Sequence, residues 1–271
     1  MTTSLHFRAL LSGILLLGLA LAPSTGALAR EKAEVTAKAA GCEKPSSSSA
    51  THLLSGATPV GIGPCDGVQP GGYHESKMGG CTFNFLFKGS DGRKYMGTAG
   101  HCLVPSNTEK VWRKGKGLVV EGMVKGDQQR VGESAYGLLG PGDFGLIRLD
   151  KGVPASASMC HFGGPDSGAM DPASGTLLKH YGNGLLWGDT IPARTSVTAD
   201  VLNDEWTVYS AGPALFGDSG SAVITEDGHA VGALVHLSPF GVGISRLAPH
   251  LERAEKKLGI RLTLQTAPLE L

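Results

Sequence analysis

Glycine is the residue that most limits what this chain can become. It occurs 41 times in 271 residues. A glycine inside a helix costs about 1 kcal/mol relative to alanine, whereas tight turns favour it because it lacks a Cβ. So many glycines argue against a helical bundle, and the lack of a three-residue period excludes a collagen-like chain. What remains is a chain of short strands joined by tight turns. Aromatic residues make up only 6% of it, so the core is expected to rest on Val, Leu, Ile and Ala.

The order of residues agrees. Cys81 to Phe87 alternates apolar and polar positions, Ser90-Asp91-Gly92 is a turn signal, and Lys94 to Ala99 returns as a strand. Further strands are predicted over Leu118–Val124, Phe144–Leu149, Thr176–Tyr181, Ser196–Leu202, Thr207–Ser210, Ala222–Thr225 and Ala230–Val235. Helical spacing occurs near the end, where Leu247, Leu251, Ala254 and Leu258 recur and Gly259 follows as a stop. The pattern predicts an all-β chain of barrels or a sandwich with a C-terminal helix. There is no internal repeat.

The start of the chain reads as a targeting segment. Arg8 precedes an apolar run from Ala9 to Ala22, and Ala27-Leu28-Ala29 supplies small residues for cleavage after Ala29. A membrane anchor is the rival, but the run is short for a bilayer span and a cleavage site follows it. Residues 1–29 are therefore expected to be a signal peptide. Residues 30–58, with Pro45 and the serines Ser46 to Ser49, are expected to be a flexible lead or pro-segment. Export would bring the chain to a compartment where disulfides persist. All five cysteines, Cys42, Cys65, Cys81, Cys102 and Cys160, lie beyond the cleavage site. An odd count leaves at least one unpaired within the chain, and spacing does not assign the pairs. None has the Cys-x-x-Cys spacing of a zinc site, and no metal or organic cofactor is expected. The formal net charge is +0 with 18% charged residues. No clustered excess of Lys and Arg suggests nucleic acid or an acidic membrane surface as a partner.

Three short segments carry chemistry. Acyl transfer through serine needs an imidazole to take the hydroxyl proton, a carboxylate to orient that imidazole, and backbone amides to meet the oxyanion. His101 stands in Thr98-Ala99-Gly100-His101-Cys102. Asp143 opens the apolar run Asp143-Phe144-Gly145-Leu146-Ile147. Ser219 stands in Gly217-Asp218-Ser219-Gly220-Ser221. Each segment alone is weak: a histidine after glycine, an aspartate at a turn and a serine between glycines are all common in loops.

Together and in this order, the three segments resemble the motifs of the trypsin/chymotrypsin family of serine peptidases, especially its secreted bacterial branch, over roughly residues 72–258. Other serine hydrolases use a different order. The resemblance implies two six-stranded antiparallel barrels, over residues 59–165 and 166–271, the second ending in the helix. The active site would lie in the cleft between them. It implies Ser219 as nucleophile, His101 as general base and then acid, Asp143 as the orienting carboxylate, and the Gly217 and Ser219 amides as oxyanion hole. It also implies a Cys81–Cys102 disulfide, with Cys65–Cys160 as a second bridge and Cys42 left over. The expected product is a secreted, monomeric serine endopeptidase acting on protein or peptide substrates. A non-catalytic binding protein on the same fold and a secreted esterase are the rivals.

The chain departs from the pattern in three places. No Ile-Val-Gly-Gly start exists for proteolysis to expose, so Asp218 needs another donor, with Arg194 and Arg246 as candidates. Six residues before Ser219, where members with Arg/Lys preference carry an acid, stands Pro213, followed by Ala214. A small or apolar P1 residue is therefore expected, with Asp204 and Glu205 as remote sources of charge. Finally, Val235-His236-Leu237 occupies the place of a Ser-x-Gly substrate strand. Pro213, Ala214, Val235, Leu237 and Gly241 are the expected pocket residues. His74, His161, His180 and His229 are expected at the surface or in turns.

Overall fold

Alternation along the strands decides the architecture. The computed structural model describes residues 68–104, 119–124, 127–158, 163–182, 194–199, 203–238 and 241–269. The signal peptide and lead, and with them Cys42, Cys65 and Cys160, lie outside these residues. So does His161. The first group of strands is β1 (Tyr73–Ser76), β2 (Gly79–Thr82), β3 (Leu86–Gly89), β4 (Lys94–Thr98), β5 (Val119–Val124), β6 (Asp127–Leu138) and β7 (Phe144–Leu149). There follow β8 (Ser167–Ala169), β9 (Leu177–Tyr181), β10 (Arg194–Ala199), β11 (Thr207–Ala211), β12 (Ala222–Thr225), β13 (His229–Ser238) and β14 (Gly241–Arg246). The helix α1 (Leu247–Leu258) and a last strand β15 (Leu262–Leu264) complete the chain.

The strands form two sheets, in the orders β15-β3-β4-β7-β6-β5-β1-β2 and β12-β9-β10-β11-β14-β13-β8. In the first, β2 and β3 stand near opposite ends of the order, yet they are successive pieces of one bent segment. The sheet therefore curls round on itself as six staves, one of them shared by β2 and β3. The bend falls at Phe83–Phe85, where Asn84 N donates to the Gly97 carbonyl at 2.8 Å. The second sheet closes by direct pairing of β12 with β13, giving six staves with β8 added in parallel. The last strand, β15, leaves the second unit and pairs with β3 of the first.

Because each barrel is covered on one side by the rest of the protein, several strands are buried on both faces. On β4 and β7, Met96 and Ile147 point into the first barrel with Phe83, Leu86 and Val131. Their neighbours Tyr95 and Leu146 point the other way. There they meet Ala222, Ala233 and Val235 of the second sheet and Leu247, Ala254 and Leu258 of α1. Leu178, Val208, Val223, Leu234, Val242 and Ile244 fill the second barrel. Gly259 ends α1 with φ 67°, its amide donating to the Glu255 carbonyl at 2.8 Å, the left-handed stop that glycine permits.

The strands expected from the sequence are present, β7 and β12 with the expected ends and the others with shifted ones; Leu118 and residues 200–202 of the expected ranges lie outside the described residues. The run from Cys81 to Phe87 is the exception, since the bend divides it between β2 and β3. β1, β6, β8, β14 and β15 were not legible. The twelve-residue β6 begins Asp-Gln-Gln-Arg, and Gly-Val-Gly-Ile-Ser-Arg in β14 reads as a turn. Pairing on both sides stabilises each despite poor intrinsic propensity. His74 and His180 are corrections as well. Both are buried within strands, at 0% and 1% exposure, not at the surface.

Candidate active site

His101 stands on a short 3-10 turn, Gly100–Cys102, that follows β4 directly. The turn exists because Gly100 leaves no room for a side chain. A Cβ there would lie 1.9 Å from the Leu138 carbonyl oxygen and 2.8 Å from Asp143 Oδ1. Cys102 anchors it to β2 through a disulfide with Cys81. The closed loop spans 21 residues, a constraint worth about 3 kcal/mol by loop entropy.

Asp143 meets His101 with both carboxylate oxygens. Oδ1 accepts from the His101 backbone amide at 2.7 Å, and Oδ2 pairs with Nδ1 at 2.5 Å. The carboxylate is an acceptor, so Nδ1 carries the proton and Nε2 is left as the basic nitrogen. The aspartate backbone is held separately. Ser245 Oγ of β14 donates to the Asp143 carbonyl at 2.7 Å.

Ser219 is half-buried in a turn between two glycines of positive φ, Gly217 at 100° and Gly220 at 94°. The turn is pressed against the first barrel. A Cβ on Gly220 would lie 2.2 Å from the Thr82 carbonyl oxygen and 2.9 Å from the Ala99 amide, two residues before His101. Thr82 N donates to the Ser219 carbonyl at 2.8 Å, and Gly220 N to the Leu234 carbonyl at 2.6 Å. The turn is thus held by both barrels, and the three sequence segments meet where the barrels touch.

Asp218 is fully buried, and its Oδ2 accepts from the Leu215 amide at 2.8 Å. Gly182 comes so close that a Cβ would sit 2.5 Å from Asp218 Oδ1. Arg246 lies elsewhere, bonded to Asp171 at 2.7 Å and to the Asp204 carbonyl at 2.8 Å. The Arg194 side chain is outside the described part. Asp204 caps the turn before β11, accepting from the Trp206 and Thr207 amides at 2.7 and 2.6 Å.

The residues expected to line a substrate pocket separate into two groups. A bulge in β13 falls between Leu234 and His236, and such a bulge re-aims the side chains around it. Val235 turns into the core between the sheets. His236 and Leu237 emerge at the surface. Leu237 lies directly across from Val242 of β14, and Ala214 packs on the cluster that contains Val242. Pro213 is exposed. Gly241, with φ 131°, lies against the Ser210 carbonyl, 2.1 Å from where a Cβ would stand. His236 rests on Gly243, and its Nε2 lies 3.2 Å from Tyr209 Oη. Burial lowers its pKa, with Asp143 opposing and His101 reinforcing the shift.

Two buried histidines stand behind His101 and Asp143, and neither was legible as such. His74 Nε2 lies 2.7 Å from Thr98 Oγ1, and its ring packs on Phe83. Burial, helped by nearby His101, lowers its pKa to about 3. His250 of α1 lies under Gly142 between Phe144 and Trp206. Burial lowers its pKa to about 4; the Trp206 backbone, Asp143 and Asp204 oppose this and Arg253 reinforces it. Unfolded, both would protonate near the ordinary histidine value of about 6.5. Between that value and the folded ones the unfolded chain binds more protons, so stability rises with pH across this window and falls as pH drops. For His250 the loss from pH 7 to pH 4 is expected to be on the order of 3 kcal/mol. Denaturant titrations at both pH values should show a smaller difference in His250→Leu than in wild type.

Among the described residues, one cluster has metal-ligand proximity, namely His74, Cys81 and Cys102, and its two sulfurs are joined in the disulfide. Among the same residues no helix is long and apolar enough to cross a membrane.

No protein-family profile matches the chain, and no curated protein matches it in sequence. Similarity is found in three dimensions. Thermobifida fusca protease A is 16% identical with a TM-score of 0.52, over 72% of this chain and 98% of its own. A Nocardiopsis protease is 16% identical with a TM-score of 0.51, over 73% and 98%. Cellulomonas bogoriensis chymotrypsin is 18% identical with a TM-score of 0.50, over 72% and 98%. Two curled sheets, their closure and the meeting of their edges at one site all agree with these likenesses: the chain has the fold of the bacterial chymotrypsin-like serine proteases.

Proposed function

We propose that the chain is an exported serine endopeptidase that cleaves protein or peptide substrates through Ser219, His101 and Asp143. The observation that carries this reading is the double engagement of His101 by one carboxylate, at 2.7 and 2.5 Å, beside a serine turn that both barrels hold. Asp143 keeps the proton on Nδ1, so Nε2 takes the Ser219 proton as Oγ attacks the scissile carbonyl. The oxyanion that forms is met by the Gly217 and Ser219 amides. His101 then returns the proton to the leaving amine as the C–N bond breaks. Water, deprotonated by the same nitrogen, adds to the acyl carbonyl, and the proton returns to Ser219 Oγ as the ester C–O bond breaks and the acid leaves. No step calls for a metal or an organic cofactor. Export is supported by the leading apolar segment and by the Cys81–Cys102 disulfide.

The side chains around the site favour a small P1 residue. Leu237 and Val242 project from facing positions on one side of the β13–β14 pair, with Ala214 beside Val242. A pocket opening beside these strands would be narrowed by the exposed Leu237. Leu237→Gly is expected to raise kcat/KM for substrates with Phe or Leu at P1 at least 10-fold, within the range a few methylenes contribute. The same substitution should change little for Ala at P1.

Digestion of a denatured protein and a peptide library, with mass-spectrometric mapping of the cut bonds, tests the assignment. Cuts clustered after Ala, Val or other small residues are expected. Ester hydrolysis without peptide cleavage would favour an esterase, and neither activity would favour a binding protein. One structural neighbour, 18% identical with a TM-score of 0.50, is described as a glutamic acid specific serine protease that uses a histidine triad in substrate binding. Cuts after Glu would therefore overturn the small-residue reading and shift attention to His236.

A further inference from the structure

The mechanism above leaves unexplained how the oxyanion hole is held open. Its two amides belong to Gly217 and Ser219, on either side of Asp218. Glycine at 217 has φ 100° and no side chain to restrain rotation of the peptides around it. Asp218 fixes part of the turn, since its amide donates to the Leu215 carbonyl at 3.0 Å and its carbonyl accepts from Ser221 at 2.9 Å. The carbonyls of the two amide-bearing residues themselves are held from across the cleft. Thr82 Oγ1 donates to the Gly217 carbonyl at 2.7 Å, and Thr82 N donates to the Ser219 carbonyl at 2.8 Å. One first-barrel residue thus grips the turn at both points.

Thr82 is itself braced. It is fully buried, and its carbonyl accepts from Thr98 Oγ1 at 3.0 Å. Thr98 has a single hydroxyl proton and spends it there. The 2.7 Å contact between Thr98 Oγ1 and His74 Nε2 therefore has the histidine as donor. His74 stays neutral in its buried site, with the proton on Nε2. A chain of hydrogen bonds runs from His74 through Thr98 and Thr82 to the nucleophile turn. Gly220 completes the fit, since a Cβ there would lie 2.4 Å from Thr98 Oγ1.

We infer that Thr82 is a positioning residue for the oxyanion hole: its hydroxyl anchors Gly217 by the carbonyl, and so holds in place the residue whose amide, on the preceding peptide, faces the reacting carbonyl. The inference rests on the reading of Ser219 as nucleophile. Loss of the hydroxyl leaves the partly buried Gly217 carbonyl without that donor and lets Gly217 shift, its amide with it. The hole is then loosened, not deleted. The effect should be smaller than the 10²- to 10³-fold typical of removing an oxyanion donor, at about 10-fold.

The test compares Thr82→Val, which keeps the branched shape, with Thr82→Ser, which keeps the hydroxyl. Both are made in the full chain and assayed on a peptide substrate and with a fluorophosphonate. Expected for Thr82→Val is a fall of about 10-fold in kcat with KM within about two-fold, and an equal fall in labelling rate. Thr82→Ser should restore kcat to within about three-fold of wild type. If Thr82→Val does not fold, Thr82→Ala against Thr82→Ser makes the same comparison. Equal kcat in the valine variant and wild type would overturn the inference. So would equal losses in the serine and valine variants, which would assign the effect to packing. A wild type that neither labels nor cleaves would overturn the reading of Ser219, and this inference with it.

Discussion

Ser219→Ala is expected to lower kcat on a peptide substrate by about 10⁵- to 10⁶-fold while leaving folding unchanged. The magnitude follows from what is removed. Without Oγ there is no nucleophile for His101 to activate and no acyl-enzyme, and what survives is the oxyanion hole acting on bound water. Stability should move little because the turn is held by backbone groups. These are the Thr82 amide on the Ser219 carbonyl at 2.8 Å and the Gly220 amide on the Leu234 carbonyl at 2.6 Å. Parallel measurements of kcat and thermal unfolding check both halves. A variant that keeps more than a few per cent of wild-type turnover would place the chemistry elsewhere.

The second large effect is that of Asp143→Asn, expected to lower kcat by about 10⁴-fold. The geometry dictates how. Oδ1 is committed to the His101 backbone amide at 2.7 Å, so an asparagine that keeps this bond turns its NH₂ towards Nδ1. Nδ1 must then accept, and the proton moves to Nε2, the nitrogen that has to receive the Ser219 proton. The ring keeps its place in the wrong tautomer. The Asp143 carbonyl is still held by Ser245 Oγ at 2.7 Å, so the loop is expected to survive. Kinetics with KM determined separately would show the loss in kcat. A loss carried mainly by KM would contradict the assigned role.

The sequence and the structure agree best where one residue type has one physical use. Gly259 had to end a helix, and Thr98-Ala99-Gly100 had to bring β4 into a tight turn, because nothing larger fits beside the Leu138 carbonyl. Apolar runs marked β7 and β12 because their side chains are buried on both faces. Legibility failed where tertiary contacts decide. β6 is a strand because β5 and β7 pair with it on either side, although its first residues are polar. The bulge at Val235 leaves no local signal, yet it moves one expected pocket residue into the core and presents the next two at the surface. His74 was expected at the surface or in a turn and His250 drew no reading, because burial of a neutral imidazole depends on partners distant in sequence. Thr82 is the extreme case. Its importance lies in a contact with Gly217 across 135 residues of chain.

The same geometry accounts for how two halves of the chain make one site. His101 and Asp143 come from the first barrel, and Ser219 enters from the second. The interface is sealed at Gly220, whose Cβ position is already occupied by the Thr82 carbonyl and the Ala99 amide of the first barrel. Fluorophosphonate labelling of the full chain, followed by mapping of the adduct, tests the central claim most directly. A single adduct on Ser219, absent from Ser219→Ala and slowed in Asp143→Asn, is the predicted result. No adduct on the wild type, or one on another residue that persists in Ser219→Ala, would contradict it.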